Sequence, residues 1–379
     1  MSETAGKSNL LSLPFERPVA KINSDSNRIG LGRSGTCGIQ SRSSPRQPTR
    51  ALGLAVVLAA VSATAQSAGA QYKILEKISG PDGGYDYVRA DAANSRVLIA
   101  RSTMIMAIDL KTKAVTTGLA PGIRLHDALP VNDSAELLVS NGGSNNVVFA
   151  DGKTGATIAT VPAGNDPDAE VFDPHTGLVL VMNHQGGDIT LVNPKTHMAA
   201  GTINVGGSLE SGVVDGGGRA YVNIEDKNEI AVIDIAARKV VTHYKLSGCD
   251  GPTGLAYDAI DGLLIAACDG ATDVVSAKTG KVVQTLPTGK GADGIAFDPA
   301  RRVAFIPAGG DGKLAIVAFA KGKGAIVQTL KTQIGARTIG LDESTGRVYI
   351  PAAVFGPSAT PGGHQAAKPG TFFVFVVGK

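Results

Sequence analysis

The stretch Asn165 to His197, NDPDAEVFDPHTGLVLVMNHQGGDITLVNPKTH, constrains the chain most, because it is one copy of a unit that recurs about every 40 residues. DAEVFD, LVLVMN and DITLVN are apolar runs of strand length, separated by PHTG and QGGD and closed by PKTH, all rich in turn-forming residues. Three strands in so short a stretch leave room only for antiparallel hairpins.

The polar residue that closes the first strand recurs as Asp91, Asn132, Asp173, Asp215, Asp258, Asp298 and Asp342, at spacings of 41, 41, 42, 43, 40 and 44. A second marker ends the third strand at Asp109, Asp151, Asn193, Asp234 and Ser276, spaced 41 to 42 apart and in phase with the first. Together they define seven copies. Fourth strands follow as ATIATVPAG, MAAGTINVGG, KVVTHYKLSG and KVVQTLPTG, so each unit has four strands, a to d.

The seventh copy, from Gly335, supplies GARTIGLD, GRVYIPAA and TFFVFVVGK but no fourth strand, while QYKILEKI, Gln71 to Ile78, is a strand with no hairpin partner before the first full copy. Joining the two fills the vacancy and leaves no open edge. The predicted fold is therefore all-β, a seven-bladed β-propeller of four-stranded antiparallel blades closed by the N-terminal strand of the mature chain. A solenoid of the same period would need capping repeats and would expose both ends.

Glycine at 49 residues, no Trp and only 4% aromatics suit a fold of tight turns and aliphatic strands. Residues 51–70, ALGLAVVLAAVSATAQSAGA, follow the basic SRSSPRQPTR and end in Ala68-Gly69-Ala70, the layout of a signal peptide cleaved before Gln71, with a retained anchor as the alternative. Residues 1–50 form a polar extension, and the propeller occupies 71–379. Residues 1–70 carry eight Lys/Arg and three Asp/Glu, leaving 28 basic against 30 acidic residues in the rest. That near-neutral balance lacks the electrostatic footprint of a duplex nucleic-acid binder. Cys249 and Cys268, either side of the DAIDG hairpin, are expected to form a disulfide in an exported domain, the alternative being two ligands of a soft metal. The expected location is periplasmic or secreted, as a monomer with no integral membrane domain after cleavage.

DPHTGLVLVMN, GRAYVNIEDKNEIAVID, CDGPTGLAYDAIDGLLIAAC and GARTIGLDESTGRVYIPAA resemble the strand-turn-strand units of YncE-like, YVTN-repeat seven-bladed propellers exported by bacteria. The resemblance spans the whole mature chain. It implies a binding or scaffold role, with nucleic-acid binding in some members, and supplies no catalytic residue.

In a propeller, strand a lines the channel, and the d-to-a and b-to-c loops share one face. Five residues before each first-strand marker stand Asp86, Asp127, Asp168, Glu210, Thr253, Asp293 and Arg337. Carboxylates converging on one axis repel unless a cation or protons compensate. The functional reading is a cation or polar-ligand site, with Ca²⁺ or Mg²⁺ as candidate ions on Asp86, Asp127, Asp168, Glu210 and Asp293. Arg337 is the counter-charge, and Tyr85, Tyr87, Arg124, His126 and Glu170 lie nearby. The structural alternative is that each acid bonds backbone N–H groups of its own turn.

The b-to-c loops add Arg101, Asn141, Asn183, His184, Glu225, Asp226 and Asp269, which solvated loop polarity largely explains. His175, His197 and His243 fall elsewhere, leaving His126, His184 and His364 as histidines that could join a site. The long Phe355–Gly370 connection, FGPSATPGGHQAAKPG, is either a lid or a tolerated insertion. No nucleophile elbow, P-loop, HExxH or dinucleotide fingerprint is present, and Gly216-Gly217-Gly218 joins antiparallel strands rather than opening a helix.

The leading expectation is a binding or scaffold protein taking a small molecule, protein or peptide at its polar, acidic channel face. The alternatives are a divalent-cation-dependent hydrolase or lyase, lactonase-like or streptogramin-lyase-like, and a single-stranded nucleic-acid binder, which needs aromatic stacking platforms.

Overall fold

The computed structural model describes residues 71–356 and 367–379. The expected polar extension, the signal segment and His364 lie outside them. No helix among the described residues is long and apolar enough to cross a membrane.

Each repeat folds as one four-stranded antiparallel sheet, and there are seven. Blade three shows the logic. Its strands Pro167–Asp173, Leu178–Asn183, Asp188–Asn193 and Met198–Asn204 pair in chain order. Asp173 Oδ2 accepts the Thr176 amide at 3.0 Å and its hydroxyl at 2.7 Å, and Gly177 closes the turn at φ 71, where a side chain would be strained. Asp151 does the same at the end of strand c in blade two, accepting the Lys153 and Thr154 amides at 3.0 and 2.7 Å. Both repeat markers are thus side chains that satisfy turn amides.

Strands b and c are buried on both faces, as in LVLVMN, whereas strands d such as Met198–Asn204 keep an exposed face. The reason is packing: a blade buries both faces against its neighbours, and only its outer strand meets solvent. Seven apolar clusters follow, each shared by two adjacent blades. Closure is as expected. Lys73–Ser79 pairs antiparallel with Phe373–Gly378 as the outer strand of blade seven, from Lys73↔Gly378 to Ser79↔Phe373.

One marker is displaced. Strand a of blade two, Leu125–Val131, ends before Asn132, which sits in the turn with Asp133 and Ser134, all three left-handed at φ 51, 54 and 62. Asn132 instead donates from Nδ2 to Glu136 and to the Pro194 carbonyl. The residue equivalent to Asp173 is therefore Val131, and counting back from Asn132 lands one residue too far along the strand.

Cys249 and Cys268 are bonded, with Cα atoms 5.4 Å apart, and both are buried between blades four and five. A cross-link spanning 19 residues restrains the unfolded chain by about 3 kcal/mol. The double substitution of Cys249 and Cys268 by Ser is expected to lower urea stability by that order and to remove the sensitivity of the wild type to reductant. An unchanged midpoint would show that the bond adds nothing.

Candidate functional site

In blades two, three and four the a-to-b ladder slips between Leu125 and Ala128, Pro167 and Glu170, and Leu209 and Gly212. These bulges free two residues per strand from the ladder and re-aim them. The first of each pair, His126, Asp168 and Glu210, turns towards the channel; Asp86 and Asp293 reach the same place from the segments that enter strand a of blades one and six. With Tyr87, Arg124, Asp166 and His184 they line one cavity of about 160 Å³ at the channel mouth.

Asp127 is not in this ring. The displaced marker put it there, but His126 holds the place, so the converging acids are Asp86, Asp168, Glu210 and Asp293. Asp127 is fully buried, and its carboxylate accepts Arg89 Nε at 2.9 Å, the Ala128 amide at 2.8 Å and the Glu170 amide at 3.2 Å. Glu170 also points away from the mouth. It is buried between blades, with Oε2 accepting the Leu129 amide at 3.3 Å. Burial, then the Asp127 charge, push its carboxyl well above the ordinary range.

The ring acids do not cap their own turns. Asp86 Oδ2 stands 2.7 Å from His126 Nδ1, Asp168 Oδ1 stands 3.3 Å from the same nitrogen, and Glu210 Oε1 stands 3.1 Å from His184 Nδ1. Asp293 Oδ2 accepts Arg337 Nε at 2.8 Å, so Arg337 is the expected counter-charge. Thr253 withdraws, its hydroxyl donating to the Ala292 carbonyl at 2.9 Å. The structural alternative, in which each acid bonds amides of its own turn, therefore does not describe Asp86, Asp168, Glu210 or Asp293.

Crowding shows in the proton affinities. Burial, then Glu210, Asp86 and Asp293, push Asp168 well above the carboxylate range. Burial raises Asp293 to about 7 despite Arg337, with Asp86 and Glu210 adding to the rise. The Glu210 hydrogen bond lifts His184 to about 9 against the cost of burial, and Glu210 itself is raised, so that pair retains a proton at neutral pH. Burial pulls His126 down, but Asp86 and Asp166 outweigh it and its pKa ends up raised. Carboxylates that converge and repel one another in this way hold their protons more tightly than isolated ones.

Two residues that periodicity did not single out complete the site. Asp166, 2% exposed, accepts Arg124 at 3.0 Å through Oδ2, while its Oδ1 has no hydrogen-bond partner and faces His126 Nε2 at 3.5 Å. Ser211 Oγ lies 3.1 Å from the Tyr87 hydroxyl, a bridge across the channel between blades one and four. Aligning the repeats on the apolar or proline residue before each bulge, Leu125, Pro167 and Leu209, would have brought out His126, Asp168 and Glu210 together.

Five of the other loop residues, Arg101, Asn141, Asn183, Asp226 and Asp269, make local contacts instead. Arg101 is buried, donates to the Gly84, Pro81 and Gly83 carbonyls and covers the Phe372 ring at 3.7 Å. Asn141 accepts the Ile123 amide, Asn183 donates to Asp188 and Thr190, and Asp226 and Asp269 accept the Ser208 and Gly291 amides. Tyr85 is buried, its hydroxyl donating to the Gly335 carbonyl at 2.6 Å.

No protein-family model matches the chain, and no curated protein does. Among solved structures it is similar to a chain of the Kuenenia stuttgartiensis hydrazine synthase, with a TM-score of 0.62 at 16% identity over 72% of this chain and 94% of that one. It is also similar to a chain of a mitotic checkpoint complex, with a TM-score of 0.65 at 13% identity over 86% and 99%. At such identities the likeness concerns the seven-bladed fold alone.

Proposed function

We propose that this propeller is an exported binding protein of the YncE-like, YVTN-repeat kind that captures a divalent cation at its channel mouth. One observation carries the reading. Asp86, Asp168, Glu210 and Asp293 share a cavity of about 160 Å³ with two imidazoles, and among the described residues only Arg337 and Arg124 stand beside them as permanent positive charges. The Cys249–Cys268 bond supports export, since such bonds persist in oxidising compartments.

A cation-dependent hydrolase or lyase is a second reading, favoured by imidazoles placed beside the carboxylates, where they could move protons from a bound water. Single-stranded nucleic acid fits poorly. An acidic mouth repels phosphates, Tyr85 is buried, and the Tyr87 hydroxyl is engaged with Ser211.

Thermal unfolding of the chelator-treated protein, with and without divalent ions, tests the reading. An ion at a hundredfold excess over its Kd stabilises the native state by about 2.7 kcal/mol. The melting temperature should therefore rise by several degrees in the wild type and by nothing in Asp168→Asn. If no divalent ion shifts the wild-type transition, the cation reading fails.

A further inference from the structure

The cation reading leaves open how many ions the mouth takes, and of which kind. The ligating atoms of Asp86, His126 and Asp168 all lie within 4.8 Å of one another, and so do those of Asp168, His184 and Glu210. Asp168 belongs to both groups and has two oxygens. A cation held at about 2.0–2.2 Å by nitrogen and oxygen donors sets its ligands roughly 3 to 3.5 Å apart. The 2.7, 3.3 and 3.1 Å separations at His126 and His184 already approach that spacing.

A separate observation points to a ligand. When an imidazole binds a metal through one nitrogen, the other N–H is normally held by a carboxylate or carbonyl. Asp166 Oδ1 is buried, lacks a hydrogen-bond partner and faces His126 Nε2, while Nδ1 faces Asp86 and Asp168. With Nδ1 on a metal, Nε2 carries the proton and Asp166 Oδ1 gains its missing donor. Arg124, bonded to the other Asp166 oxygen at 3.0 Å, keeps that carboxylate in place.

Resting on the cation reading above, we propose that the channel mouth is a two-ion centre for first-row transition metals such as Zn²⁺, in which Asp168 bridges one ion held by Asp86 and His126 and another held by Glu210 and His184. An imidazole in each half selects against Ca²⁺ and Mg²⁺, which prefer all-oxygen shells. A shared carboxylate would set the ions about 3.5–4 Å apart, the spacing of two-metal sites. Asp166 is a positioning residue, acting through His126.

Calorimetric titration of the metal-free protein with Zn²⁺, with elemental analysis after gel filtration, tests the proposal. Two ions per chain are expected, undisturbed by equimolar Ca²⁺. Glu210→Gln should leave one ion and Asp168→Asn none. Asp166→Asn should weaken only the ion held by His126, by about 10- to 100-fold. Circular dichroism identifies any variant that has not folded, and the Glu210 and Asp166 variants then carry the test without Asp168. One ion per wild-type chain, or displacement by Ca²⁺, would overturn the two-ion proposal while leaving the cation reading standing. No bound ion of any kind would overturn both.

Discussion

Deleting residues 71–79 is expected to abolish the cooperative unfolding transition. Lys73–Ser79 is the outer strand of blade seven, and its hydrogen-bonded pairing with Phe373–Gly378 ties the start of the propeller to its last blade. Tyr72 and Ile78 are buried, Tyr72 meets the Phe305 ring edge-on at 5.0 Å, and its backbone exchanges hydrogen bonds with Gln328 at 3.0 and 2.7 Å. Burial of each large apolar side chain contributes about 1.5–3 kcal/mol, against a total stability of about 5–15 kcal/mol for a typical domain. The deletion also uncovers FVFVVG, Phe373 to Gly378, as an apolar strand edge that invites pairing between molecules. Gel filtration and thermal unfolding should show aggregates and no sharp melt. A monomer with the wild-type transition would mean that the ring holds without this closure. Ile78→Ala is the milder form of the test and should cost about 2–5 kcal/mol.

The second large effect lies between blades one, two and three. Among the described residues Arg89 is the sole side chain that neutralises Asp127, which is fully buried, and it also donates to the Glu170 carbonyl. Removing one partner of a buried pair leaves an uncompensated charge in the interior, at a cost of about 3–5 kcal/mol. Arg89→Ala should lose that much in urea unfolding, and adding Asp127→Asn should recover part of it, because the stranded charge goes while the one amide oxygen still accepts one of the two N–H groups, from Ala128 or Glu170, that bond separate carboxylate oxygens. A loss below about 1 kcal/mol would mark the pair as solvent-screened, like an ordinary surface ion pair.

A fixed period counted from Asn132 puts Asp127 at the mouth, but the three left-handed residues Asn132, Asp133 and Ser134 carry blade two into a different turn from the Asx turn of Asp173. A one-residue offset at a bulge exchanges a channel-facing residue for one that faces between blades. His126 and Asp127 therefore swap roles. Glu170, two residues beyond Asp168, faces between blades because its backbone is already back in the ladder opposite Val181. Asp166 gave no periodic signal at all. Its importance comes from an oxygen with no partner beside an imidazole, which is a relation between blades two and three rather than a pattern along either.

The sequence by itself determined the repeat, the four-strand unit and the closure by the first strand, while the structure decided between a disulfide and a metal pair for Cys249 and Cys268. The repeat follows from local chemistry at a fixed interval: apolar runs that must be buried, and Asp or Asn side chains that must satisfy turn amides. Tertiary structure alone decided which acids meet. Convergence on the axis depends on bulges that turn His126, Asp168 and Glu210 out of their ladders and on the angle between blades. Those set distances of about 3 Å between residues some 40 positions apart, a spacing that no linear period encodes.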